Sequence, residues 1–248
     1  MFDDLKGKTV VVTGGVTGIG GAVSLGFAKA GAKVLAQYLG GGEELKTIEA
    51  AGITTIRLDL TERGAPDKLI AAAIEKLGRI DVLVNNAGSL VARTALADLT
   101  DEFIDKVFDV NCRQLIHCTR LAADQMVKQK AGTIINVTSI AARQGSSPGG
   151  SVYGGAKAFV SAFTKTTAKE LVGHGIRVNA VSPGTIHTAF HERHSSAEKR
   201  AATAKSIPMQ RLGLADDCTG TFLYLASEAA SGYVTGQIIE VNGGQLMP

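Results

Sequence analysis

Tyr153 and Lys157 stand four residues apart, a spacing that puts two side chains on one face of a helix. A tyrosine hydroxyl ordinarily titrates near pH ~10, too high for a good base at neutral pH. A nearby ammonium can lower an acidic group by roughly one to three units. Acid–base catalysis works best when the group titrates near the working pH, so the pair reads as a tyrosine acidified by its lysine. Ser139 lies upstream, where its hydroxyl could hydrogen-bond a reacting oxygen as an oxyanion-type donor does. A Tyr-x-x-x-Lys pair alone is more often an ordinary surface pair, so its neighbours carry the reading.

The first neighbour is Thr13-Gly14-Gly15-Val16-Thr17-Gly18-Ile19-Gly20, which follows an apolar β-branched run and opens a helical pattern. The glycines run G-x-x-x-G-x-G and not in the G-x-G-x-x-G order of the dinucleotide fingerprint. The physical chemistry is shared: glycines permit a tight turn and close approach to a pyrophosphate, and the helix N-terminus offers free N–H groups. Further on, an acidic residue ending the second strand would select NAD through the ribose hydroxyls, and a basic one would accept the 2′-phosphate of NADP. Here stand Gln37, Tyr38, Leu39 and three glycines. No carboxylate repels a phosphate, which tilts the cofactor expectation slightly toward NADP over NAD.

The elements that must position these residues alternate along the chain. β-Branched runs occupy 8–13, 33–37, 53–58, 80–85, 133–138, 176–182 and 237–241. Helical patterns lie at about 18–30, 43–51, 65–77, 101–129, 152–173 and 216–228. Strand and helix in alternation predict an α/β fold: a doubly wound, Rossmann-type parallel sheet with helices on both faces. Without a linker or a repeat, 1–248 reads as a single domain. Asp59, Asn85-Asn86-Ala87-Gly88, Ser139 and Pro183-Gly184 all fall at the carboxyl ends of expected strands, the edge where open α/β sheets bind ligands. The long stretch 184–211, helical around 195–205, is expected to be a substrate lid.

Composition narrows the classes. Among 248 residues, 45% are hydrophobic and 20% charged, which suits a globular chain. Aromatics make up only 5% and Trp is absent, leaving the core to Val, Ile, Leu and Ala, as in a covered parallel sheet. The net charge of +3 is scattered, so no basic stripe suggests nucleic acid. Cys112, Cys118 and Cys218 show no metal-ligand or disulfide spacing and are expected as buried free thiols. No signal pattern opens the chain and no apolar run approaches membrane-spanning length, so a cytoplasmic protein without a membrane partner is expected.

Taken together, TGGVTGIG at 13–20, Asp59, NNAG at 85–88, Asn111, Ser139, Tyr153, Lys157 and PG at 183–184 make the chain resemble the short-chain dehydrogenase/reductase family over its whole length. It is most similar to the 3-oxoacyl-(acyl-carrier-protein) reductases. The resemblance implies an NADP- or NAD-dependent oxidoreductase in which Tyr153 exchanges a proton with the substrate oxygen and Ser139 holds that oxygen. Lys157 would bind the nicotinamide ribose and acidify Tyr153, and Asn111 would support a water in a proton relay. Gly14, Gly18, Ile19 and Gly20 would line the diphosphate, Asp59 and Leu60 the adenine, and Asn86, Ala87 and Gly88 the ribose. Ile186 and Thr188, after Pro183 and Gly184, would meet the nicotinamide amide. A carbonyl or alcohol, acyl-carrier-linked or not, is the implied substrate, and a homotetramer paired through 101–129 and 152–173 the implied assembly. Two residues depart from the pattern. Thr17 stands where NADP-preferring relatives often carry Arg or Lys, and Gln114 replaces a glycine common after the relay asparagine.

A sugar or secondary-alcohol dehydrogenase of the same family is the nearest alternative, and a non-catalytic dinucleotide sensor would not need Tyr153. Gly145-Ser146-Ser147-Pro148-Gly149 matches a serine-hydrolase pattern, but Pro148 has no N–H for an oxyanion hole, so a turn is expected. His187, His191 and His194 with Glu192 lack a further ligand, so no metal site is expected. Arg143 borders the expected substrate loop, where a guanidinium could meet an acidic substrate.

Overall fold

The computed structural model describes residues 2–188 and 196–247. Seven parallel strands form one sheet: β1 (Thr9–Val12), β2 (Lys33–Tyr38), β3 (Thr54–Arg57), β4 (Val82–Asn85), β5 (Gly132–Val137), β6 (Ile176–Pro183) and β7 (Ile238–Val241). Their spatial order is β3-β2-β1-β4-β5-β6-β7, so the chain reverses its winding between β1 and β4, which creates a crevice at the carboxyl edge. All seven expected strands are present, and the doubly wound α/β reading stands.

Both faces of the sheet are buried, and each strand divides its side chains between them. Val10, Val12, Val34, Ala36, Val82 and Val84 join one core cluster with Val23 and Phe27 of α1 (Gly18–Lys29) and Phe222 of the helix Ala215–Ala226. Val11, Leu35, Leu83, Ile134 and Val178 point the other way, onto Leu69 of α3 (Ala65–Leu77) and Ala122 of α5 (Gln114–Gln129). Between α1 and α3 lies α2 (Gly42–Ala50). Burial on two sides is why the strands read as unbroken apolar runs without alternation.

The expected helix 101–129 is not continuous. α4 (Asp101–Phe108) runs into a π-turn, Asp109–Arg113, before α5 begins. In that turn Gln114 N–H reaches back to the Asp109 carbonyl. The Gln114 side chain donates to the carbonyls of Val110 and Ala87 at 3.2 and 3.1 Å. A single wide turn of this kind is common at functional sites, and a periodicity argument cannot see it. Past β5, a short helix α6 (Ala141–Gln144) leads through the 145–150 turn into α7 (Ser151–Leu171).

Candidate active site

The sheet order places the sequence candidates along one edge. The β1 turn and the β4 end are tied together by hydrogen bonds. Thr13 Oγ1 accepts from the N–H groups of Asn86 and Ala87, both at 3.0 Å, and Asn86 Nδ2 donates to the carbonyls of Thr13 and Gly14 at 3.0 Å. Gln37 is buried, accepting from Gly14 N–H at 2.8 Å and donating to the Leu58 carbonyl at 2.6 Å. It is therefore a strut between the glycine turn and β3. A sequence pattern gives no sign of that role, because a strand-end glutamine reads as a ligand candidate or as nothing.

Gly18 opens α1 with φ of 54°, in the left-handed region. A β-carbon there would sit 3.3 Å from Thr188, so the chain after β6 lies over the glycine turn as the motif order requires. Thr17, the N-cap, makes no capping side-chain bond to the first N–H groups of α1. Ile19 packs against the α1-side core. Gly20 leaves no room for a side chain beside the Gly14 carbonyl. Ile186 is buried and Thr188 Oγ1 donates to its carbonyl at 3.4 Å. Gly184 packs against Asn242, and the Pro183 carbonyl accepts from Ile140 N–H at 3.2 Å. At the other end Asp59 Oδ1 accepts from the Thr61 N–H and hydroxyl at 2.9 and 2.6 Å. Leu60 puts its side chain into the core, leaving contact with a base to its main chain. Tyr38 is half-buried at the end of β2.

Gly88 marks where these parts meet the catalytic candidates. A β-carbon on it would lie 2.8 Å from Asn111 Oδ1 and 3.0 Å from Lys157 Nζ, so the NNAG turn, the π-turn and α7 converge at one point. Asn111 is buried, with Nδ2 donating to the carbonyls of Ser89 and Val107 at 2.7 and 2.8 Å and Oδ1 accepting from Ser89 N–H at 3.2 Å. Lys157 is only 4% exposed, and its Nζ donates to the Val137 carbonyl at 3.0 Å. That ammonium lies 5.7 Å from the centre of the Tyr153 ring. The Tyr153 hydroxyl and Ser139 are hydrogen-bonded. Thr138 Oγ1 donates to the Lys157 carbonyl at 2.8 Å, which fixes the turn of α7 that carries the lysine.

The electrostatics correct one expectation. Burial pushes the Tyr153 phenol up to about 12, opposed by its bond to Ser139. Burial also pulls the Lys157 ammonium down to about 8. In the resting site, burial holds the phenol up and the ammonium down, so the four-residue spacing does not by itself acidify the tyrosine. Desolvation outweighs the pairing that the spacing suggested.

Arg143 Nε lies 3.1 Å from Glu240 Oε1 on β7 while its side chain stays 40% exposed, so one of its N–H groups faces an internal carboxylate. The 145–149 segment is a turn, with Pro148 giving its carbonyl to Arg93 at 3.1 Å. His187 is described, whereas His191, Glu192 and His194 lie outside the described residues, as does part of the 184–211 stretch. Its described helix is Ala197–Ser206. The three cysteines are buried and free. Among the described residues no helix is long and apolar enough to cross a membrane.

These residues fit a nicotinamide dinucleotide: a glycine turn at the N-terminus of α1, a strand-end glycine at Gly88 packed closely against Asn111 and Lys157, and Tyr153 beside that lysine. The comparisons agree. A family model described as enoyl-(acyl carrier protein) reductase matches residues 14–245. The chain is 39% identical over 250 residues to the 3-oxoacyl-[acyl-carrier-protein] reductase FabG of Thermotoga maritima, covering 98% of this chain and 99% of that protein. It is 38% identical over 255 residues to 3beta-hydroxysteroid dehydrogenase 1 of Eggerthella lenta, covering 100% and 97%. A solved short-chain type dehydrogenase/reductase from Mycobacterium marinum superposes with a TM-score of 0.92 at 37% identity, covering 100% of this chain and 98% of that one. The NADH-dependent reductase A1-R′ complexed with NAD gives 0.88 at 35% identity, covering 100% of both. This chain belongs to the short-chain dehydrogenase/reductase family. It is an NAD(P)-dependent oxidoreductase.

Proposed function

We propose that this enzyme reduces the ketone of a 3-oxoacyl thioester carried on an acyl-carrier protein, with NADPH as the preferred donor. The observation that carries the reading is the meeting of Asn111 and Lys157 at Gly88, with Tyr153 beside that lysine and Ser139 bonded to the phenol. A bound nicotinamide would supply the hydride. Ser139 orients the carbonyl oxygen, and Tyr153, protonated at neutral pH, donates its proton to that oxygen as an alcohol forms. The phenolate left behind faces the Lys157 ammonium, which stabilises it at the moment charge appears. Asn111 holds the π-turn against Ser89, keeping a path for proton return to Lys157 and Tyr153.

Gly14, Thr17, Gly18, Ile19 and Gly20 would hold the diphosphate, Tyr38, Asp59 and Leu60 the adenosine half, and Asn86, Ala87 and Gly88 the ribose and neighbouring backbone. Pro183, Gly184, Ile186 and Thr188 would meet the nicotinamide. The 184–211 segment serves as a substrate lid on the single domain 1–248. The enzyme works in the cytoplasm as a homotetramer built on α4, α5 and α7. Phe159 and Phe163, stacked at 5.7 Å with Phe159 exposed, lie on α7 where such pairing would cover them.

Interconversion of a neutral secondary alcohol and its ketone, as in a sugar or secondary-alcohol dehydrogenase, is the second reading. It is favoured by the steroid dehydrogenase relative and by the internal pairing of Arg143. A panel of 3-oxoacyl thioesters, cyclic ketones and secondary alcohols, assayed with both reduced and both oxidised cofactors, separates the two. Thioester ketones should give the highest kcat/KM; a neutral ketone at the top would replace the acyl reading.

A further inference from the structure

Neither Thr17 nor the 37–39 segment offers a positive charge to a 2′-phosphate. The structure places one on the next strand. Arg57 closes β3 as the register partner of Tyr38, the last residue of β2. Neighbouring strands lie ~4.8 Å apart, so Arg57 starts one strand spacing from the position that meets the adenosine ribose in open α/β folds. Its Nε donates to the Leu39 carbonyl at 3.2 Å, which lays the guanidinium along the loop between β2 and α2. That bond uses one of five N–H donors, and Arg57 has no carboxylate partner among the described residues. The side chain is exposed, and a β-carbon on Gly40 would meet nothing within 4 Å, so this part of the loop is open. The nearby carboxylates are placed differently. Glu43 is paired with Lys46 at 2.7 Å, Glu49 accepts from Thr55 at 2.9 Å, and Glu44 lies in the first turn of α2.

We propose that Arg57 recognises the 2′-phosphate of NADP and sets the cofactor preference of this enzyme. The planar guanidinium can offer its remaining N–H groups to phosphate oxygens in a forked arrangement that an ammonium cannot reproduce. An end-of-β2 rule overlooks such a residue because Arg57 lies about twenty positions further along the chain, and only the sheet register brings it alongside. This inference rests on the nicotinamide-dinucleotide reading of the cleft and adds the residue that discriminates within it.

The test is direct binding, read by quenching or calorimetry without turnover, on wild type, Arg57→Ala and Arg57→Lys. The probes are NADPH, NADH, and adenosine 2′,5′-bisphosphate against 5′-AMP. The contact is open to solvent, so the expected loss is at the low end for a charged hydrogen bond, about tenfold. Arg57→Ala should weaken NADPH and the bisphosphate by that factor while NADH and 5′-AMP change less than about twofold. Arg57→Lys should fall between, with stronger salt dependence showing the residual point charge. Wild type that favours NADH, or NADPH affinity indifferent to Arg57→Ala, overturns the role of Arg57 and leaves the oxidoreductase reading intact. Failure of wild type to bind any of the four probes overturns both.

Discussion

Replacing Lys157 by methionine removes a buried ammonium while keeping an unbranched stem of similar length. At neutral pH the lysine, held at about 8, is charged, and the tyrosine, held at about 12, is protonated. The phenolate formed by proton donation therefore appears 5.7 Å, ring centre to Nζ, from a full positive charge. With an effective dielectric near 20 that attraction is about 3 kcal/mol, equivalent to roughly a hundredfold in rate. Lys157→Met should lower kcat for ketone reduction by about that factor at pH 7, measured at saturating dinucleotide. The pH profile carries the sharper signature. In wild type, kcat should fall as pH rises through about 8, because the ammonium is lost; the variant should lack that limb. Stability moves the other way. Because folding lowers this lysine from 10.5 to about 8, the unfolded chain holds the extra proton between those values, and wild-type stability rises with pH across that window. Below pH 8 the variant should melt higher, by up to about 3 kcal/mol, and the advantage should fade toward pH 10.5. A variant within threefold of wild type that keeps the alkaline limb would refute the electrostatic role assigned to Lys157.

Three further substitutions probe the supports of the site. Gln37→Leu leaves the Gly14 N–H and the Leu58 carbonyl without their partner. It should cost about 2 kcal/mol, seen as a Tm lowered by roughly 4–8 °C together with weaker binding of both dinucleotides. Gly88→Ala pushes a methyl group onto Asn111 and Lys157 and should reduce kcat by more than about tenfold with a modest loss of Tm; steady-state kinetics and a thermal melt suffice. Arg143→Ala releases Glu240 and should lower Tm while shifting KM for neutral and anionic ketones alike. A KM rise confined to anionic substrates would return Arg143 to the substrate pocket.

The sequence made the order of elements legible because a sheet buried on both faces must be written as apolar runs, and helices between them as amphipathic ones. Ser139 and the glycine turn were visible because each combines a chemical type with a strand-end position, and Tyr153 and Lys157 because their spacing puts them on one helix face. What escaped depends on contacts between distant segments. The π-turn around Asn111 is hidden within a helical period, and the Gln37 strut exists only where β1 and β3 flank β2. The ion pair of Arg143 with Glu240 spans almost a hundred positions. Tyr153 shows the same limit in energetic form: spacing revealed its lysine, but not the burial that raises the phenol and lowers the ammonium together.

The most direct trial of the account is Tyr153→Phe, which removes one hydroxyl from a half-buried ring. Dinucleotide affinity should stay within about twofold of wild type while single-turnover reduction of a 3-oxoacyl thioester falls by more than about a thousandfold. Reduction persisting at a tenth of the wild-type rate would contradict proton donation by this phenol.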